Sequence, residues 1–171
     1  MHRTRRILWL LLICFTLTAS SCGIYTFNDA SIPPEVKTIR IGYIENKAHY
    51  INPSLSAQLT DAFVKKVNSQ TKLTRVDDMN ADYVVNSVIK QYDVTTSGVS
   101  STNQASLNRL TVGVHMTLID NTKHETHEYD VSSTFDFSAN LSLAQAETSL
   151  MSQILKDIPE AMFNKLFTGG W

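Results

Sequence analysis

The 171-residue chain reads as an α+β domain, a two-layer sandwich of two helices packed on one face of a four-stranded mixed sheet, in the order β-α-β-β-β-α. Three observations predict it. Two stretches place apolar residues at the three-and-four spacing of a half-buried helix. Two others alternate apolar and polar residues at the period of a strand with one wet face. A third run is rich in strand formers, and the helices can bury their stripes only against the apolar face of the sheet these strands make.

In chain order, the stretch after residue 22 ends in Pro33-Pro34, which blocks helix and favours extended chain. Ile39, Ile41 and Tyr43 then alternate with Thr38, Arg40 and Gly42, the pattern of a first strand. Asn52 before Pro53 predicts a helix start, with Asn52 as the cap. Leu55, Leu59, Ala62, Phe63 and Val67 share one face of a helix over 54–69, with Asp61, Lys65 and Asn68 opposite. After a polar turn, Leu73 to Val76 suggests a strand stub.

The run from Tyr83 to Val94 is strand-forming, but its alternation is imperfect, which predicts a bulge or an end buried on both faces. Residues 95–106 are polar and read as a mobile loop. Two cleaner strands follow, over 108–120 and 127–138, joined as a hairpin around Asn121-Thr122-Lys123. Ser142 with Gln145 forms a capping box for a long last helix striped by Leu143, Ala146, Leu150, Ile154, Ile158, Ala161, Met162 and Leu166. Pro159 inside it predicts a kink near 158–160, and Gly169-Gly170 its end. The first helix should join parallel strands. Patterning leaves open whether the first strand lies beside the second or the fourth.

The amino terminus has a different character. The basic stretch Arg3 to Arg6 precedes an apolar run from Ile7 to Leu17, followed by the small residues Ala19, Ser20 and Ser21. That is the layout of a secretory signal peptide, too short to span a bilayer. Cys22 directly after it fits the lipoprotein variant, in which the thiol is acylated and becomes the first residue. Ala19 stands where such motifs usually carry Leu. Cys14 leaves with the signal, so Cys22 is the only cysteine of the mature chain, with no intramolecular disulfide to make. Several acyl chains at about 0.8 kcal/mol per buried methylene would hold the protein on a membrane. The expected organisation is a signal over 1–21, a lipidated leader over 22–35 and a single domain over 36–171.

Composition narrows the function further. Without the signal the chain is mildly acidic, which argues against a bulk electrostatic grip on nucleic acid. His124-Glu125-Thr126-His127-Glu128 is the only cluster resembling a metal motif. Its histidines are three apart at a hairpin rather than four apart on a helix, so a solvated turn is the better reading than a metal hydrolase. Asp77, Asp78 and Asp82 read as solvated or capping groups. No Gly-rich phosphate loop or nucleophile elbow is present. The expectation is a non-enzyme without cofactor or metal.

The order of several short motifs resembles the LptE family. Ser21-Cys22-Gly23-Ile24-Tyr25-Thr26-Phe27 follows the signal, and Ser31-Ile32-Pro33-Pro34-Glu35 leads into the first strand. Asn52-Pro53-Ser54-Leu55-Ser56 opens the first helix, and Leu107-Asn108-Arg109-Leu110-Thr111-Val112 the third strand. Phe163-Asn164-Lys165 and a final Trp171 complete the resemblance. It implies an outer-membrane lipoprotein of lipopolysaccharide transport that sits as a plug in the barrel protein LptD and helps that barrel assemble. It also implies, through Gly23, sorting to the outer membrane. Some members bind lipopolysaccharide through basic residues, but no local motif marks them here. Lys65, Lys66, Lys72 and Arg75, the densest basic stretch, and Arg109 on the open sheet face are the candidates for lipopolysaccharide or partner contact. The alternative is a periplasmic lipoprotein that binds lipid or a small ligand, such as an auxiliary subunit of a lipid exporter.

Overall fold

Two long antiparallel pairings carry the sheet. The computed structural model describes residues 32–99 and 105–168. In chain order the elements are β1 (Thr38–Ile41), β2 (Glu45–Asn46), α1 (Leu55–Gln70), β3 (Thr74–Arg75), β4 (Tyr83–Val99), β5 (Ala105–Asp120), β6 (Glu125–Ser138) and α2 (Leu143–Phe167). The α+β class is as expected. The sheet, however, has six strands, not four, in the order β3-β1-β4-β5-β6 with β2 also beside β4. β1 runs parallel to β3 and to β4, so the first strand lies beside the second long one rather than at the far edge.

Of the extra strands, β3 is the stub suggested at Leu73 to Val76, and β2 arises from a break in the first strand. Ile41 pairs with Val85 and Glu45 with Val88, so the β1–β2 segment advances four residues while β4 advances three. The inserted residue reverses the facing. Ile44 goes into the core while Tyr43, expected inside, is 59% exposed. The Thr60 hydroxyl of α1 accepts the Ile44 N–H at 3.0 Å, satisfying a donor the ladder has lost.

β4 contains the expected bulge. Ile89 pairs with Val114 and Gln91 with Gly113, leaving Lys90 between them unpaired. The phase therefore resets, and Tyr83, Val85 and Ile89 share the core face with Tyr92. Much of the stretch expected as a loop is instead strand, because β4 runs on to Val99 and β5 begins at Ala105. Cross-strand pairing overrides the low hydrophobicity there, as in Thr95 opposite Arg109.

Both helices cover one face of the sheet. α1 buries Leu55, Leu59, Phe63 and Val67, and α2 buries Ala146, Ile154, Ile158, Met162, Phe163 and Leu166. They close over Leu110, Val112, Val114, Met116 and Leu118 of β5 and over Phe135 and Phe137 of β6. Each large side chain taken fully out of water contributes roughly 1.5–3 kcal/mol. The cap of α1 is Ser54, not Asn52. Asn52 acts one step earlier, its Oδ1 accepting from Ser54 N at 3.0 Å and Ser54 Oγ at 2.9 Å. The α2 capping box is formed as expected, and the helix continues through Pro159.

Three polar clamps hold the elements in place. The Tyr92 hydroxyl donates to Glu147 Oε1 at 2.8 Å, deep between β4 and the first turns of α2. The side chain of Asn52, just before α1, approaches the same hydroxyl and eases its ionisation. Lys66 of α1 bonds Glu160 of α2, so the helices lie side by side and run the same way. At the other end, Asp82 Oδ2 accepts from Lys37 N at 2.8 Å and Thr38 N at 2.9 Å, fastening β1 to the start of β4.

Candidate interaction surface

The sheet face opposite the helices is open, and alternation decides what it carries. Each core-facing residue of β4, β5 and β6 puts its neighbour on this side. The register builds rows of side chains across the three strands: Asn86–Thr117–Glu128, Val88–His115–Asp130, Gln91–Gly113–Ser132, Asp93–Thr111–Thr134 and Thr95–Arg109–Asp136. Hydroxyls, amides and charges dominate. Arg109, expected on the open face, stands here with Thr111, His115, Glu128, Asp130 and Thr134, and Arg40 of β1 joins them beside Val84.

The charges are largely self-neutralising. Arg109 Nε donates to Asp136 Oδ1 at 2.7 Å and Nη2 to Oδ2 at 2.9 Å, a two-pronged cross-strand pair. The Arg109 hydrogen bonds hold the Asp136 carboxyl below its usual range and raise the guanidinium. His115 Nδ1 lies 2.9 Å from Asp130 Oδ1. At the centre, Gln91 folds over Gly113, where a β-carbon would come within 3.0 Å of Gln91 Cβ. Lys90, Gln91, Gly113, Asp130 and Ser132 border a shallow depression of about 300 Å³. A wet, hydrogen-bonding and nearly flat face of this kind suits contact with another polar protein surface.

The candidate cations do not form one cluster. Lys66 is turned between the helices, bonded to Glu160 and 5.7 Å from the centre of the Phe163 ring. Arg75 stands 3.8 Å from Asp77. Lys65 and Lys72 are exposed and have no ion partner among the described residues, while Arg109 lies on the opposite layer, paired to Asp136. Lys66 and Arg109 are thus structural ion pairs.

The histidine cluster follows its solvated reading. His124 adopts φ 57° at the β5–β6 turn, and Asp120 Oδ1 closes that turn by accepting from Thr122 N, Thr122 Oγ1 and Lys123 N. His127 stacks on Tyr129 at 6.3 Å and lies 3.4 Å from Glu125. Among the described residues no group of three or more potential metal ligands converges, and no helix is long and apolar enough to cross a membrane. A second depression, of about 360 Å³, lies between the helix starts, bordered by Asn52, Ser54, Gln58, Glu147, Thr148 and Met151. Sequence reasoning missed Tyr92 and Glu147, whose pairing needs contacts far apart in the chain. Cys22, the segment expected as its signal and Trp171 lie outside the described residues.

Comparison with solved structures finds the same architecture. A Xanthomonas campestris protein matches with a TM-score of 0.54 at 11% identity, covering 80% of this chain and 86% of that one. Uncharacterized lipoprotein B from Nitrosomonas europaea gives 0.53 at 14%, covering 78% and 83%. A minor lipoprotein from Acinetobacter baumannii gives 0.51 at 11%, covering 76% and 91%. At these identities the likeness is one of fold. No curated protein sequence matches the chain. The family model for LptE, lipopolysaccharide-assembly, matches residues 36–166, which is nearly the whole folded region, and the chain therefore belongs to the LptE family.

Proposed function

We propose that this chain is a non-enzymatic outer-membrane lipoprotein that serves as plug and assembly factor of an LptD-type barrel in the transport of lipopolysaccharide to the cell surface. Residues 1–21 are its signal, Cys22 its lipidation site, residues 22–35 a leader, and 36–171 the domain that enters the barrel. Membership of a lipopolysaccharide-assembly family over residues 36–166 carries this reading. The open sheet face supports it, since a plug must meet a polar lumen wall with hydrogen-bonding groups and few stranded charges. The Arg109–Asp136 pair meets that need by cancelling charge within the face, and the His115 ring gives the Asp130 carboxyl a polar neighbour.

Lys65 and Lys72 remain the candidates for contact with lipopolysaccharide phosphates, because their ammonium groups are exposed and uncommitted. The test is photo-crosslinking in intact outer membranes from probes at Thr111 and Thr134 on the open face, with a probe at exposed Gln153 of α2 as a comparison. The reading expects the open-face probes to join the LptD-type barrel. Crosslinks to soluble periplasmic proteins with none to the barrel would overturn it and favour the lipid-exporter alternative.

A further inference from the structure

The two edges of the sheet are built differently. On one side β3 has only two residues, and the β1–β2 segment is broken by its inserted residue. The part of β4 beyond Ile89, past the reach of β2, carries register shifts at Lys90 and again around Gly98. Short strands and bulges are the usual means of keeping an edge from pairing. The other edge has none of them. β6 pairs with β5 from Glu125 to Ser138 without a register shift, and no strand lies on its outer side among the described residues. It contains no proline, lysine or arginine.

Two further observations concern what would sit there. On the helix side, cover runs out at β6: Val114 and Met116 of β5 are fully buried, but their neighbours Val131 and Tyr129 on β6 are only partly so. A further strand with apolar residues on that side would complete their burial. On the open side β6 presents Glu128, Asp130 and Asp136, of which Glu128 has no ion partner among the described residues. A strand laid beside them would be favoured if it carried cations opposite.

We propose that the outer edge of β6 accepts an added β-strand from a partner protein, one that alternates apolar residues with lysine or arginine. Main-chain hydrogen bonds would supply the affinity, and the alternation would fix register and facing. A second copy of this chain is a poor occupant, since its β6 would set another Glu128, and no lysine or arginine, against the Glu128 already there. The inference rests on the sheet edge alone and does not require the partner to be a barrel.

The test uses the full mature chain and two end-blocked ten-residue peptides, one alternating valine with lysine and one alternating valine with glutamate. Hydrogen exchange should show the valine–lysine peptide slowing alternate β6 amides at least tenfold, with β1 and β3 unchanged. The valine–glutamate peptide should bind at least tenfold more weakly, and Glu128→Lys should weaken the valine–lysine peptide several-fold while leaving the fold intact. Unchanged β6 exchange at millimolar peptide, or equal binding of both peptides, would overturn the proposal. So would concentration-dependent protection of β6 without peptide, which would make a second copy the occupant.

Discussion

Tyr92 joins β4 to α2 through one hydroxyl, which donates to Glu147. Burial pushes its phenol well above the ordinary tyrosine range, with the hydrogen bond to Glu147 adding to the rise. Tyr92→Phe removes a donor from a carboxylate that is itself mostly buried, and should destabilise the fold by about 1–3 kcal/mol in urea unfolding. Adding Glu147→Leu should recover much of that loss, since an apolar pair leaves nothing unsatisfied. Tyr83 is the opposite case. Its hydroxyl is buried with no hydrogen-bond partner among the described residues, and burial pushes the phenol up to about 12 from 10.0. A raised folded pKa means that its share of stability is intact below pH 10 and lost as pH rises towards 12. Tyr83→Phe should therefore gain about 1 kcal/mol at neutral pH. Its stability should also fall less steeply than wild type between pH 10 and 12. Asp82 has the reverse sign, for the backbone N–H groups of Lys37 and Thr38 hold its carboxyl below 3.8. The clamp it forms is present above pH 3.8 and lost as pH falls through the lowered value.

At the level of elements, β4 depends on a single unpaired residue. Lys90 lets Ile89 and Tyr92 both face the helices although they are three apart. Deleting Lys90 would turn Tyr92 towards the open face, taking a large buried ring and its Glu147 bond out of the core. The expected outcome is loss of cooperative unfolding by circular dichroism, whereas Lys90→Ala, which keeps the count, should fold normally. Ser142→Ala removes the hydroxyl that accepts from Gln145 N and should cost about 1 kcal/mol in the same assay. What the sequence made readable follows from the range of the interactions. The β5 and β6 alternation, the α2 capping box and the need for a β4 bulge are local patterns, and each appears in the structure. The exposure of Tyr43 was not readable, because it depends on an inserted residue whose lost bond is taken up by Thr60 on α1. The polar ends of β4 and β5 were likewise invisible as strands, since their partners lie across the hairpin rather than along the chain.

At the scale of the molecule, the described residues form one apolar layer interface, one wet sheet face and one long unpaired edge. The β5 and β6 part of its open face was predictable from the period-two pattern, yet the pairing of its charges was not. Arg109 read as a free cation, but the register puts it directly opposite Asp136. Lys66 likewise read as part of a basic patch, but helix packing commits it to Glu160. The resulting molecule offers hydrogen bonds over a broad surface without a strong field of either sign, which suits a fitted protein partner better than a steered anionic ligand. The most direct test of the proposed role is purification of the lipidated chain from outer membranes in mild detergent, with quantification of what accompanies it. Our account predicts an LptD-type barrel recovered in one-to-one amount. Repeated recovery of the lipidated, folded chain without any such barrel would contradict it.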